Sequence, residues 1–255
     1  MSEFEGKVVV VTGAGSGIGR GTAILFGRER AQVVVIDWNA PSGKETANLI
    51  SQQGGEALFL KTDIGSSQEV ELAVKAIIAR YGRIDVLFAN AAVQFNKPVV
   101  ETTEEEWERL HRVNLKGTFL CCKHIIPVMQ KQGSGSIVIT SSGHAFVTYP
   151  NSSSYAASKG GLVAFMRGVA LDYAGDGIRV NCVVPGATDS PLLRNYLTGC
   201  PDSAAEEKRI ISSIPLRRFA TPEDIAKAVR FLASSDAAYI TGTCLAVDGG
   251  LLAQA

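Results

Sequence analysis

Tyr155 and Lys159, four residues apart in Tyr155-Ala-Ala-Ser-Lys159, are the side chains whose types and spacing point most directly to chemistry. On a helix such a pair shares one face, one turn apart. A free phenol titrates near ~10 and is a poor base at neutral pH. An ammonium beside it stabilises the phenolate, and a drop of about 3 units corresponds to ~4 kcal/mol. A tyrosine tuned in this way exchanges a proton with an alcohol or a ketone near physiological pH. Alone, the pattern marks a solvated helix face more often than a site. Its surroundings decide here: the apolar run Ser136–Thr140 and the pair Ser141-Ser142 stand just upstream, which places the tyrosine at a strand end.

A ligand-binding turn lies near the N-terminus. The run Lys7–Thr12 leads into Thr12-Gly-Ala-Gly-Ser-Gly-Ile-Gly19, and helix-like sequence follows from Arg20. Glycines there let the backbone turn sharply and approach a pyrophosphate, whose charge rests on the helix N-terminus. The spacing is TGxxxGxG, carried by Gly13, Gly17 and Gly19 with Ser16 and Ile18 between, and GxGxxG is not met. Asp37 closes the next apolar run, 18 residues after Gly19. A carboxylate so placed can accept from both hydroxyls of an adenosine ribose. It would repel a 2′-phosphate by on the order of a few kcal/mol at ~4–6 Å. Trp38 comes next, with no Arg or Lys to offset that repulsion. NAD is the cofactor expected.

The elements that must position these groups are visible as alternation. Short apolar runs (Lys7–Thr12, Ala31–Asp37, Ala57–Thr62, Ile84–Ala89, Ser136–Thr140, Ile178–Val184 and Thr243–Val247) are separated by longer amphipathic stretches. The runs are continuously apolar, as strands covered on both faces of a parallel sheet are. Thr103-Glu-Glu-Glu106 and Thr221-Pro-Glu-Asp224 read as capping boxes that open helices. Repeated strand–helix alternation implies right-handed crossovers. The expected fold is α/β: a single Rossmann-type, doubly wound parallel sheet of seven strands with helices on both faces, one domain over residues 1–255.

Composition narrows the function classes. The chain has 255 residues, with 25 Lys+Arg balanced by 25 Asp+Glu. A neutral chain without a basic block has no electrostatic footprint for nucleic acid or an anionic membrane. No apolar run approaches the roughly 18 residues of a membrane helix. The start, Met-Ser-Glu-Phe-Glu-Gly-Lys, is no signal peptide. Five cysteines without a CxxC pair read as reduced thiols, so the expected location is the cytoplasm. With three histidines and scattered cysteines, no metal site is expected.

Taken together, TGAGSGIG, Asn90-Ala-Ala, Asn114, Ser142, Tyr155-x-x-x-Lys159 and Pro185-Gly186 resemble, in order and spacing, the short-chain dehydrogenase/reductase family. The likeness runs from about Lys7 to Val247-Asp-Gly-Gly250. It implies that Tyr155 is the catalytic acid/base, and that Lys159 binds the nicotinamide ribose and depresses the tyrosine pKa. It implies that Ser142 bonds the substrate oxygen and that Asn114 holds a water on a proton relay to Lys159. Asp63, beside Ile64, resembles the aspartate that meets the adenine. Pro185-Gly186 would close over the nicotinamide, with Thr188 near its carboxamide. Ala89 and Ala92 depart from the family's usual Asn-Asn-Ala-Gly, and a methyl at 92 narrows the approach to the cofactor.

The expected reaction is hydride transfer between nicotinamide and a small or medium secondary alcohol or ketone, cyclic or polyhydroxylated, such as a sugar or polyol. Ser142, His144 and Tyr155 are the candidate substrate contacts. Gln94, Phe146, Tyr149 and Asn151 are expected around them, with a lid over 189–214. The resemblance implies a homotetramer built on Trp107–Gln132 and Ser153–Tyr173. Two alternatives stand beside this: a 3-ketoacyl reductase-like enzyme, which would want basic surface at the entrance, and a catalytically silent NAD-binding regulator.

Overall fold

All seven apolar runs are strands of one parallel sheet in this computed structural model, which describes residues 2–254. They are β1 (Val8–Thr12), β2 (Gln32–Asp37), β3 (Glu56–Lys61), β4 (Val86–Ala89), β5 (Gly135–Thr140), β6 (Ile178–Pro185) and β7 (Cys244–Val247). Between them run α1 (Gly17–Arg28), α2 (Ala40–Gln52), α3 (Ser67–Tyr81), α4 (Glu104–His111), α5 (Gly117–Gln132) and α6 (Ser153–Tyr173). After β6 come α7 (Pro191–Thr198), α8 (Ser203–Ser213) and α9 (Pro222–Ala233). The strand order is β3-β2-β1-β4-β5-β6-β7. The chain thus winds outward from β1 through β3, then restarts on the other side of β1 with β4. This is the doubly wound arrangement expected, and its switch point, where ligands bind in such sheets, lies between β1 and β4.

Alternation along the strands splits the core into two layers. Val9, Val11, Val33 and Val35 face α1, α2 and α9, meeting Phe26, Ile50 and Val229. Val10, Val34, Leu87 and Ile139 face the other way, toward α3, α5 and α6, meeting Ile77, Ile125 and Leu162. All of these side chains are buried, each stabilising the fold by about 1.5–3 kcal/mol relative to exposure.

Local signals end the helices where the sheet requires. Both expected capping boxes form: Thr103 with Glu106 at α4, and Thr221 with Asp224 at α9, where Pro222 is the first helical residue. Gly82, at φ 73°, closes α3 in the left-handed conformation. One feature departs from regularity. Between α4 and α5 the residues Arg112–Lys116 form a π-helical turn, with Asn114 wholly buried inside it. Among the described residues no helix is long and apolar enough to cross a membrane.

Candidate functional site

One cleft of about 1010 Å³ runs along the carboxyl ends of the strands, past the switch point. Of the residues singled out from the sequence, Gly13, Ser16, Gly17, Ile18, Asp37, Asp63, Ile64, Asn90, Ser142, His144, Tyr155, Lys159, Pro185, Gly186 and Thr188 all line it. Gly19 and Asn114 do not; both stand behind its wall.

At one end the walls are backbone. Gly13 has φ +63°, and a Cβ there would sit 2.7 Å from the Ala91 Cα. A Cβ on Gly19 would strike the Gly13 carbonyl oxygen and come within 2.8 Å of Asn90 Nδ2. No side chain fits either position. Asn90 pins this loop from the β4 end, donating from Nδ2 to the Thr12 carbonyl at 3.1 Å and accepting from Thr140 Oγ1 at 3.2 Å. Asp37 is nearly buried and already holds two backbone N–H groups, Gly15 at 2.8 Å and Asn39 at 2.8 Å. Its carboxylate is therefore fixed against the glycine loop, with lone pairs left over to accept ribose hydroxyls. The residues fit a dinucleotide: a glycine turn that excludes side chains, a helix N-terminus behind it and an oriented carboxylate.

Asp63 follows β3. Its Oδ1 accepts from Gly65 N at 2.9 Å and its Oδ2 from Arg112 Nη2 at 2.8 Å. Burial works to raise its pKa, but the Arg112 and Gly65 bonds outweigh it and hold the carboxyl below its usual range. Pro185 ends β6, and Gly186 N donates to the Val247 carbonyl at 3.1 Å. Thr188 is buried and donates to the Gly186 carbonyl at 3.1 Å.

At the middle of the cleft stand Ser142, Tyr155 and Lys159, all buried. Tyr155 and Lys159 share one face of α6, and the Lys159 Nζ lies 5.6 Å from the phenol ring centroid. The ammonium donates to the Thr140 carbonyl at 2.8 Å, which aims it at the strand end. The expected electrostatics need correction. Burial pushes the Tyr155 phenol up to about 12, against an opposing hydrogen bond with Ser142, and brings Lys159 down to about 8. Burial penalises the charged phenolate, and the Ser142 hydrogen bond offsets that only in part.

Asn114 stands behind the cleft wall, on the π-helical turn. Its Nδ2 donates to the Val93 carbonyl at 2.9 Å and to Ser158 Oγ at 3.1 Å, while its Oδ1 accepts from Val93 N at 2.8 Å. The amide is satisfied within the fold and reaches the cleft only through the Val93 backbone, which is the geometry of a positioning residue. It braces the 93–97 segment against α6.

His144 stands two residues beyond Ser142, whose Oγ accepts from the His144 backbone N at 3.2 Å. Its ring meets Tyr155 and Tyr149 edge-on, centroids 5.5 Å away in each case. Phe146 and Asn151, expected nearby, do not line the cleft: Phe146 is half exposed to solvent, and Asn151 takes the left-handed conformation at φ 64°. The far wall comes from α7 and α8. Arg194 clasps Asp189 at 2.7 Å and Glu207 at 3.2 Å, and Glu206 accepts from Tyr196 at 2.8 Å and from Arg209 at 2.7 Å.

Several cleft residues escaped sequence reasoning. Trp38 lies over the Asp37 end, 72% exposed. Its isolated position after a strand was the available signal. Lys61 lines the same end and sits directly opposite Asp37 in the β2–β3 register. Arg209 and Tyr196, inside the segment expected as a lid, reach the cleft from α8 and α7.

The chain is similar to proteins of known family over nearly all its length. The family model described as enoyl-(acyl carrier protein) reductase matches residues 13–252. A cis-4-hydroxycyclohexanecarboxylate dehydrogenase of Sinomonas cyclohexanicum is 40% identical over 251 residues, covering 98% of each chain. A 3-oxoacyl-[acyl-carrier-protein] reductase of Thermotoga maritima is 38% identical, covering 98% of this chain and 99% of that one. The crystal structure of NAD+-bound xylitol dehydrogenase superposes with a TM-score of 0.94 at 30% identity, over 98% of this chain and all of the other. With that sheet order, that cleft and these relatives, the chain belongs to the short-chain dehydrogenase/reductase family, oxidoreductases that work with a nicotinamide cofactor.

Proposed function

We propose that this protein is an NAD-dependent dehydrogenase/reductase acting on a small or medium secondary alcohol or its ketone. The observation that carries the reaction is the meeting of Ser142, Tyr155 and Lys159 in the same cleft as the glycine turn. Asp37 carries the NAD preference: a fixed, nearly buried carboxylate beside Gly15 repels a 2′-phosphate and accepts from ribose hydroxyls. A ring alcohol suits the apolar walls of Val147, Leu192 and Leu193, and a relative is named for a hydroxycyclohexane substrate.

Gly13, Ser16, Gly17, Ile18 and Asp37 would hold the adenosine and phosphates, with Asp63 and Ile64 at the base. Asn90, Lys159, Pro185, Gly186 and Thr188 would hold the nicotinamide end. When bound, the nicotinamide ring supplies the hydride acceptor. Ser142 hydrogen-bonds the carbinol oxygen and the alkoxide that develops there. Tyr155 takes the hydroxyl proton from the same oxygen, or returns it in reduction. Lys159 steadies the charge on the phenol oxygen, and Asn114 keeps the 93–97 segment in place behind the site. The protein contributes orientation and charge placement, worth several kcal/mol of the barrier.

The same proposal makes 189–214 a substrate lid on a single catalytic domain and places the enzyme in the cytoplasm. It also makes the enzyme a homotetramer, since Trp107 and Phe119 expose aromatic surface on the helices that would pair. Light scattering giving a monomer removes that last element. The acyl-carrier alternative, favoured by the Thermotoga maritima relative, wants free cations at the entrance. Arg209, on the far wall, is instead paired with Glu206.

The deciding experiment is a spectrophotometric screen of NAD and NADP reduction across sugars, polyols, cyclic alcohols, hydroxysteroids and hydroxy acids. Reduction of NAD by a secondary alcohol is expected. Silence across the panel with NAD bound would favour a regulator.

A further inference from the structure

One polar atom beside Tyr155 makes no hydrogen bond among the described residues: Nε2 of His144. The rest of the ring is committed. Nδ1 bonds Thr148 Oγ1 at 3.1 Å, and the two ring edges pack at steep angles, 73° and 83°, on Tyr149 and Tyr155. The backbone N of the same residue holds Ser142 Oγ. The imidazole is thus oriented by three neighbours, and it lines the cleft that holds the candidate reactive hydroxyl. Burial keeps its pKa below the ordinary 6.5, so the ring is uncharged at neutral pH.

An uncharged imidazole has one donor and one acceptor. The Thr148 hydroxyl can play either part toward Nδ1, which leaves Nε2 able to accept from a hydroxyl or donate to a carbonyl. The neighbouring cleft walls, Val147, Pro150 and Leu192, are apolar and would pack a carbon skeleton. A simple mono-alcohol would fill that space, expel water from Nε2 and leave it unpaired. Sites built around a polar group discriminate against analogues that lack its partner.

We infer that the substrate carries a second oxygen, a hydroxyl or keto group on the same small skeleton as the reacting carbinol, and that His144 Nε2 hydrogen-bonds it. The substrate class is then diols and hydroxy-ketones rather than mono-alcohols. This rests on the dehydrogenase function proposed above, and it assigns His144 the choice among alcohols.

The test compares kcat/KM for cyclohexanol with kcat/KM for cyclohexane-1,2-, 1,3- and 1,4-diol, supplying NAD and NADP in turn. The wild-type protein is expected to prefer one diol over cyclohexanol by about tenfold or more. His144→Phe, which keeps the ring and removes the polar atom, should bring that ratio down toward one. Thr148→Val alters an exposed side chain and frees the imidazole to turn, so it should lower the ratio by a smaller factor. It also decides the matter if His144→Phe does not fold. Cyclohexanol oxidised as well as every diol, or a diol preference that survives either folded variant, overturns the assignment while the dehydrogenase function stands. No oxidation of any of the four alcohols, with cofactor bound, overturns the inference, and silence across the wider alcohol screen as well overturns the function with it.

Discussion

The two ends of the cleft are built from different materials. At the Asp37 end, the shape is set by backbone: Gly13 and Gly19 cannot carry a Cβ, and Asn90 and Asp37 tie the turn to neighbouring strands through main-chain bonds. At the α7–α8 end, the shape is set by long side chains, Arg209 and Tyr196 meeting on Glu206, with Arg209 open to solvent. Backbone walls tolerate almost no substitution and suit a ligand that never changes. Side-chain walls cost little to rebuild, which suits the part of an enzyme that selects its substrate.

The largest effect should come where the ends meet. Tyr155→Phe removes the proton-transferring hydroxyl without disturbing the backbone cradle, so turnover should fall by roughly 10²–10⁴ while NAD affinity stays near wild type. Steady-state rates and a binding titration separate the two, and normal turnover would remove Tyr155 from the proposed chemistry.

At the backbone end, Asp37→Ser should lower NAD affinity by about tenfold and admit NADP. Lys61, in register across the sheet, is the cation able to meet the 2′-phosphate, so adding Lys61→Ala should cancel the gain in NADP affinity. Equal binding of the two cofactors by the unmutated protein would contradict the specificity proposed for Asp37.

A pH profile probes the junction without mutation. Alcohol oxidation needs the proton-accepting form, so kcat/KM for oxidation should rise with pH. The buried pair bounds its apparent pKa between about 8 and about 12 in the free protein. Stability should respond in opposite senses. Lys159 titrates near 8 when folded and near 10.5 when unfolded, so the native state sheds its proton first, and its contribution rises as pH climbs through that window. Tyr155, raised from 10 to about 12, contributes stability that is lost as pH rises between those values. A falling oxidation rate above neutrality, with the fold intact by circular dichroism, would contradict the assignment.

The smallest effect belongs to the side-chain end. Arg209 is 57% exposed, so Arg209→Ala should change stability by no more than about 0.5–1 kcal/mol. It should instead alter KM for the alcohol and leave NAD binding alone. A thermal melt and a KM comparison check this, and a large loss of stability would mean the two ends are not built so differently after all.

Sequence legibility follows the same division. The glycine turn, Asp37 and the seven strands were readable because steric exclusion and continuous burial leave direct traces in residue type. Lys61 was not, because its place beside Asp37 depends on strand register between residues 24 apart. Arg209 and Tyr196 fall inside the 189–214 segment expected as a lid, but their meeting on Glu206 depends on how two short helices pack. Tyr155 shows the limit most clearly: its position on a helix face beside Lys159 was legible, while the direction of its pKa was fixed by how deeply the fold buries it. Asn114 was visible as an oddity among apolar neighbours, but not the irregular turn that holds it.

That turn has a consequence for which changes the chain can absorb. A π-helical turn accommodates one residue more than the α-helix around it. Deleting a single residue within 112–116 would let α4 and α5 fuse into regular helix with their hydrogen bonds intact. The helix on either side would keep its phase, but the widened turn that holds the Asn114 amide against Val93 would be gone. Such a variant should fold and yet leave the 93–97 strip of the cleft without its anchor, so the apparent irregularity is a length that the site requires.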